Sequence, residues 1–226
     1  MERVFRYEAN AEICGTLAGI ITTPTDFDPE KEKLPVIVFL HGMGERGNGS
    51  EEELERLKCA GIPKYFCSDP DYKGLRVITM SPQCPVNMFW THLIYPLMKW
   101  IRDAVKMLNG DEERIAITGL SMGGFGTWNM LCTFPETFCC GAPVCGGGVK
   151  VLGYSLGKEK IRAYHGVDDP IVSFEESVVM VEEARKRGAD VELTAFDHVG
   201  HNSWDMAYGS TDLIEWLASC RLGGKE

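Results

Sequence analysis

Short apolar runs alternate with longer amphipathic segments along most of the chain. Runs rich in β-branched residues, such as LPVIVFL (34–40), are typical of strands buried on both faces of a parallel sheet. Longer segments, such as THLIYPLMKWIRDAVKML (91–108), predict helices. Near the start, RVFRY (3–7) and the glycine-broken ICGTLAGIIT (13–22) predict two antiparallel strands at a sheet edge.

The order of these segments indicates the fold class. Strands that alternate with helices predict an α/β protein, with a mostly parallel central sheet and helices on both faces. The first helix is expected to begin at Ser50 and to stop at Gly61. Ligands of such sheets bind beyond the carboxyl ends of the strands, so the functional residues are expected there. Further strands are predicted at 75–80, 114–119, 139–146, 160–166 and 191–197, and further helices at 122–134, 173–188 and 210–224.

The composition narrows the class of protein. At 226 residues, with 44% hydrophobic and 25% charged residues, the chain resembles one soluble globular domain, so we expect residues 1–226 to form a single domain. No signal peptide or membrane-spanning run is evident, which favours a cytoplasmic location. The formal net charge of −10 disfavours nucleic acid or an anionic membrane as a partner. Nine cysteines without a C-x-x-C pair favour reduced, mostly buried thiols.

Two segments match G-x-S-x-G, the signature of a serine nucleophile on a strained turn between a strand and a helix. They are GLSMGG (119–124), which contains Ser121, and GYSLG (153–157), which contains Ser155. Ser121 follows a predicted strand and begins a predicted helix, whose positive end favours a developing oxyanion. Ser155 follows no clear strand and begins no helix, which is typical of an irregular loop. Ser121 is therefore the candidate nucleophile.

A serine nucleophile needs a general base and an acid that orients this base, and both follow in the chain at strand ends. Asp168 and Asp169 follow one predicted strand, and His198 and His201 follow the next. These loops are expected to emerge at the same sheet edge as the serine. The residues alone leave two candidates for each role.

An oxyanion hole needs two convergent backbone N–H donors, one from the residue after the nucleophile and one from the loop after an early strand. This requirement nominates the main chains of Met122 and of Met43, which lies in FLHGMGERG (39–47). The flanking glycines let the backbone approach an ester oxygen. His41 is expected to organise this loop.

With these motifs the chain resembles the serine esterases of the α/β-hydrolase superfamily, in particular the small carboxylesterase, acyl-thioesterase and feruloyl or polyhydroxybutyrate esterase-like branches. In those proteins the acid lies in H-G-x-x-D-P-x-V, here HGVDDPIV (165–172), which selects Asp169. The base lies in G-H-x-x-W, here GHNSW (200–204), which selects His201. The resemblance implies an α/β-hydrolase fold and a catalytic triad of these two residues with Ser121.

The expected substrate follows from what covers the site. Only residues 146–159 separate two predicted strands at the place where many hydrolases carry a cap, so no large cap domain is expected. An open site suits small to medium acyl or aryl esters better than long lipid chains. Trp90, Phe125 and Trp204 are candidates for the walls of an acyl or aryl pocket, with ordinary core packing as the alternative for each.

These observations predict a serine carboxylesterase that acts on a small-molecule ester without a metal or an organic cofactor. An acyl-thioesterase or a peptidase with the same triad is the alternative among enzymes, because a triad specifies acyl transfer and not the leaving group. A non-catalytic ligand-binding protein of hydrolase fold is the alternative from another class.

Overall fold

The computed structural model describes residues 1–8 and 16–223, so the start of the strand predicted at 13–22 lies outside the described residues. The strands form one sheet in which the first two pair antiparallel at one edge, as predicted. The second also pairs antiparallel with the fourth, and all other neighbours pair parallel. The strands are β1 (Glu2–Glu8), β2 (Thr16–Thr22), β3 (Val36–Leu40), β4 (Ile78–Pro82), β5 (Ile115–Leu120), β6 (Cys140–Val144), β7 (Lys160–Gly166) and β8 (Asp190–Phe196), and their order in the sheet is β1-β2-β4-β3-β5-β6-β7-β8.

Helices cover both faces of this sheet, which confirms the predicted fold class. The helices are α1 (Glu51–Leu54), α2 (Gly61–Phe66), α3 (Ile94–Met107), α4 (Met122–Thr133), α5 (Phe174–Arg187), α6 (Trp204–Ser210) and α7 (Leu213–Ser219). Alternate side chains of β3 enter two apolar cores. Val36, Val38 and Leu40 pack in the core that contains α3, α4 and α5, and Ile37 and Phe39 pack in the core that contains α2, α6 and α7.

The first predicted helix has a different end in the structure. The segment after Ser50 forms one α-helical turn and then a 3-10 helix (Glu55–Cys59), and the chain becomes extended at Ala60. Gly61 then begins α2 instead of ending the preceding helix, so this prediction was wrong. Gly61 has a φ of +59°, and a Cβ at this position would collide with the ring of Phe39. Close packing against the sheet therefore requires glycine here.

The closing helix predicted at 210–224 is also divided. The structure has α6 and α7 instead, with an extended Thr211 between them, and residue 224 lies outside the described residues. The Oγ1 atom of Thr211 accepts a hydrogen bond of 3.1 Å from the backbone N–H of Leu213. This hydrogen bond satisfies an N–H at the start of α7, where the helix itself supplies no acceptor.

Three further predictions can be compared with the fold. Residues 145–159, between β6 and β7, contain only a short 3-10 helix (Lys150–Ser155), so no cap domain is inserted there. Among the described residues, no cysteine forms a disulfide, and most of the thiols are buried; Cys14 lies outside this part of the chain. In the same residues, every helix is too short or too polar to cross a bilayer.

Candidate active site

Ser121 lies on a tight turn between β5 and α4. Its backbone has φ 52° and ψ −117°, a strained conformation for a residue with a side chain. The turn is held by the N–H of Ser121, which donates to the carbonyl of Val144 at 2.9 Å. A Cβ at Gly123 would collide with the carbonyl oxygen of Leu40, so only glycine lets α4 begin this close to β3. The packing thus holds the serine in its half-buried, strained position.

Ser121, His201 and Asp169 form a continuous hydrogen-bonded chain. Nε2 of His201 lies 2.9 Å from Oγ of Ser121, and Nδ1 of His201 lies 2.7 Å from Oδ2 of Asp169. The Asp169 side chain is fully buried, whereas His201 remains 19% exposed. An imidazole placed between a carboxylate and a hydroxyl group can take the hydroxyl proton and be stabilised as a cation.

The other residues nominated from the sequence lie apart from the hydrogen-bonded chain of Ser121, His201 and Asp169. Nδ1 of His198 lies 3.6 Å from Oδ2 of Asp168, and both side chains are largely exposed. The hydroxyl group of Ser155 donates to the backbone carbonyls of Cys132 and Leu152, at 2.5 and 3.1 Å. Ser155 therefore stabilises the loop between β6 and β7, and within the described residues no hydrogen bond joins it to a histidine.

The carboxylate of Asp169 is held by its own loop as well as by His201. Oδ1 accepts hydrogen bonds from the backbone N–H groups of Ile171 and Val172, at 2.8 and 3.0 Å. Burial acts to raise the pKa of Asp169, but the hydrogen bonds from His201, Val172 and Ile171 outweigh it, so the pKa lies below its usual value. Asp169 is therefore ionised at neutral pH.

A second histidine, His165, also reaches the acid, although it carries no catalytic signal in the sequence. Nε2 of this buried residue at the end of β7 lies 3.2 Å from Oδ2 of Asp169. Burial lowers the pKa of His165, against the opposing effects of the Val172 carbonyl and of Asp169. The signal in the sequence is its place four residues before the acid in HGVDDPIV.

The loop after β3 is fixed by His41, as expected. Nε2 of His41 accepts a 2.9 Å hydrogen bond from the N–H of Cys84, and the indole of Trp90 donates to the His41 carbonyl at 2.9 Å. Burial lowers the pKa of His41 to about 4, so the ring stays neutral and able to accept. These contacts hold the backbone that leads to Met43. Met122 is the first residue of α4, where a backbone N–H has no partner within the helix.

A largely apolar cavity of about 390 Å³ opens beside the serine. Trp90 and Phe125 lie on its wall. Trp204 was expected there but lies outside the lining; its ring instead packs edge-on against His201, with centroids 5.5 Å apart. The residues that line the cavity are Met43, Phe89, Trp90, Thr91, Ser121, Met122, Phe125, Ile171 and Val172.

A larger cavity, of about 640 Å³, lies elsewhere. Its lining includes Phe138 and Lys160, which stand at the amino ends of β6 and β7, and it shares no residue with the cavity beside Ser121. Ligands of parallel sheets bind at the carboxyl ends of the strands, so the smaller cavity is the relevant one.

Solved structures resemble this chain, whereas no protein-family model and no curated protein matches the sequence. A thermostable esterase is 32% identical, with a TM-score of 0.81 over 97% of this chain and 63% of its own. Pyrococcus horikoshii acylaminoacyl peptidase is 17% identical, with a TM-score of 0.71 over 100% of this chain and 42% of its own. Thermogutta terrifontis esterase 2, phosphorylated by paraoxon, is 20% identical, with a TM-score of 0.65 over 95% of this chain and 88% of its own.

The chain spans less than two thirds of the length of the thermostable esterase and of the acylaminoacyl peptidase. The similarity nevertheless covers nearly all of the present chain. The two relatives with lower identity support the fold alone. The chain therefore has the α/β-hydrolase fold.

Proposed function

We propose that the protein is a serine carboxylesterase that hydrolyses small to medium acyl or aryl esters. The observation that carries this proposal is the hydrogen-bonded chain from Ser121 through His201 to Asp169, at the wall of an apolar cavity. The likeness of the protein to a thermostable esterase, at 32% identity, supports the same assignment.

The first half of the reaction forms an acyl-enzyme. Nε2 of His201 takes the proton of Ser121 while Oγ attacks the ester carbonyl carbon, and Asp169 stabilises the resulting imidazolium. The backbone N–H groups of Met43 and Met122 donate to the oxyanion of the tetrahedral intermediate. When this intermediate collapses, the bond to the alkoxy oxygen breaks, and His201 returns the proton to the leaving alcohol.

The second half consumes water. His201 takes a proton from a water molecule, whose oxygen attacks the acyl carbon bound to Ser121. Collapse of the second tetrahedral intermediate releases the carboxylic acid and returns the proton to the serine. Each turnover therefore consumes one ester and one water and releases one acid and one alcohol.

The cavity supports an uncharged acyl or aryl group as the part of the substrate that is held. None of the residues that line the cavity carries a charged side chain, and aromatic rings of Trp90 and Phe125 contribute to the wall. A volume of about 390 Å³ lies at the lower end of the range typical of small-molecule sites. A short acyl chain or a single aromatic ring fits this size better than a lipid chain.

The test is covalent labelling of the serine. We expect a fluorophosphonate probe to label folded protein at Ser121, as shown by peptide mapping. Ser121→Ala is expected to lose the label and to reduce kcat for p-nitrophenyl acetate by at least about a thousandfold, because the nucleophile is lost. Ser155→Ala is the matched control, since it removes a hydroxyl group from the second G-x-S-x-G match, and it should retain most of the activity.

The alternatives give different results in the same assays. Folded protein that takes no label and hydrolyses no ester would contradict the esterase proposal and favour a non-catalytic ligand-binding protein. Labelled protein that cleaves acyl thioesters or peptide bonds much faster than matched oxygen esters would assign the same triad to a thioesterase or a peptidase.

A further inference from the structure

The second histidine at the acid, His165, donates a hydrogen bond to it. Its Nε2 lies 3.2 Å from Oδ2 of Asp169 and 3.0 Å from the carbonyl oxygen of Val172. An ionised carboxylate and a carbonyl can only accept hydrogen bonds. Nε2 of His165 therefore carries a proton.

The carboxylate of Asp169 has donors at both oxygens. Oδ1 accepts from the backbone of Ile171 and Val172, and Oδ2 accepts from His201 and His165. A carboxylate offers about four lone-pair positions, so these donors use its whole capacity. Two imidazoles thus donate to one oxygen. Each of these hydrogen bonds weakens the attraction of the oxygen for the other imidazole.

His165 is fixed by elements that Asp169 does not touch. Its Nδ1 lies 2.7 Å from Oγ of Ser177 in α5, and this Oγ lies 2.8 Å from the carbonyl oxygen of Gly146 after β6. Asp169, in contrast, lies on a loop whose neighbouring residue Ile171 is 72% exposed. The hydrogen bond from His165 consequently ties the acid of an exposed loop to a buried strand.

We propose that His165 is a positioning residue, whose Nε2–H holds Oδ2 of Asp169 toward His201 and reduces the negative charge that His201 experiences. The inference rests on the proposed function, because it concerns the base of that reaction. Its consequence is that the enzyme stays active to a lower pH than it would with His201 as the sole imidazole at this oxygen.

Other titratable groups lie close to this pair. Among the described residues, they include His201 and the thiol of Cys145, after β6. Burial raises the pKa of Cys145 to about 12, so the thiol is neutral in the range of the assay. From α5, His165 is contacted by Ser177 and by the ring of Phe174, and both side chains are uncharged.

Two amide substitutions separate positioning from packing. In His165→Asn the shorter side chain places its amide near the position of Nδ1, so contact with Ser177 is retained and the donor to Asp169 is lost. In His165→Gln the amide nitrogen reaches the position of Nε2 and can donate to Asp169. We expect the acidic limb of the kcat/KM profile for p-nitrophenyl acetate to move up by about one pH unit in His165→Asn. In His165→Gln it should lie close to that of the wild type.

The matched control is Tyr208→Phe. Tyr208 is buried and its hydroxyl group lies 2.7 Å from Oγ1 of Thr118, so this variant also loses a buried hydrogen bond near the site, but away from Asp169. It is expected to lower the unfolding temperature without moving the acidic limb. If all three variants lose stability and none moves the limb, His165 is a packing residue and the proposal is overturned.

A second measurement uses the wild-type protein and therefore does not depend on a variant that folds. Phosphonylation of Ser121 changes the hydrogen bond between His201 and Oδ2, so the imidazole N–H proton of a second histidine should shift in the NMR spectrum. If no such second resonance is observed, the inference that His201 and His165 both donate to Oδ2 of Asp169 is overturned. Wild-type protein that neither hydrolyses esters nor takes the label contradicts the proposed function; an active wild type with an unmoved limb in folded His165→Asn contradicts this inference alone.

Discussion

Phe125 separates the cavity beside Ser121 from a second apolar space. A smaller cavity of about 110 Å³ shares Thr91 and Phe125 with the lining of the first and continues to Val149, Leu152 and Met180. The Phe125 ring also lies close to Gly147, where an added Cβ would contact it at 3.0 Å. The ring therefore forms the end of the cavity beside Ser121 on the side of α5.

Removal of this ring should lengthen the accepted acyl chain. Phe125→Ala is expected to raise the ratio of kcat/KM for p-nitrophenyl octanoate to that for the acetate about tenfold, since about two more methylenes become buried at roughly 0.8 kcal/mol each. Phe89→Ala is the control, because Phe89 lines the first cavity but not the second. A ratio that rises equally in both variants would show that Phe125 does not divide the two spaces.

At the level of residues, the sequence predicts where a functional residue lies in the fold better than it predicts which groups its side chain contacts. Ser121, Asp169 and His201 could be nominated because each follows a strand, yet only the resemblance distinguished Asp169 from Asp168. In the structure the difference arises because the N–H groups of Ile171 and Val172 turn the Asp169 carboxylate inward. The contact of His165 with the acid could not be predicted, since it depends on how the loop folds back over β7.

At the level of elements, the accuracy of a predicted boundary depends on whether its cause is local. α5 begins after Ser173, whose side chain accepts from the N–H of Glu175, and it ends at Gly188, which has φ 92°. Both signals lie next to the helix in the sequence, so its bounds were predicted closely. Gly61 instead takes its role from Phe39 on a distant strand, and no local pattern reveals this.

The end of α5 offers a test of this local cause. Gly188→Ala is expected to reduce the free energy of unfolding by about 1 kcal/mol, because a Cβ disfavours the left-handed conformation. Gly188→Asn should cost less, since asparagine tolerates that conformation. Urea unfolding measures both, and p-nitrophenyl acetate hydrolysis should stay unchanged because Gly188 lies just before the amino end of β8, at the sheet edge opposite the loops that carry Asp169 and His201. Equal losses in the two variants would contradict a conformational cause.

At the level of the whole molecule, the hydrophobic pattern predicts a sheet between layers of helices, but not which strands are neighbours in the sheet. Buried runs such as Val36–Leu40 indicate strands covered on both faces, and this was confirmed. The order of strands in the sheet, with β4 on the far side of β3 from β5, depends on crossovers that hydrophobic periodicity does not encode. The triad nevertheless could be expected at one edge, because every parallel strand of the sheet ends there.

The short connection at residues 145–159 has a consequence for the fate of the acyl group. Ser121 is half-buried and no cap is inserted between β6 and β7, so a small dissolved alcohol is expected to compete with water for the acyl carbon of the proposed acyl-enzyme. We expect methanol to divert part of the acyl group into a methyl ester, in a proportion that rises linearly with its concentration. Chromatography of the products measures this partition. A protein that gives only the free acid, while still active in methanol, must select water in some other way.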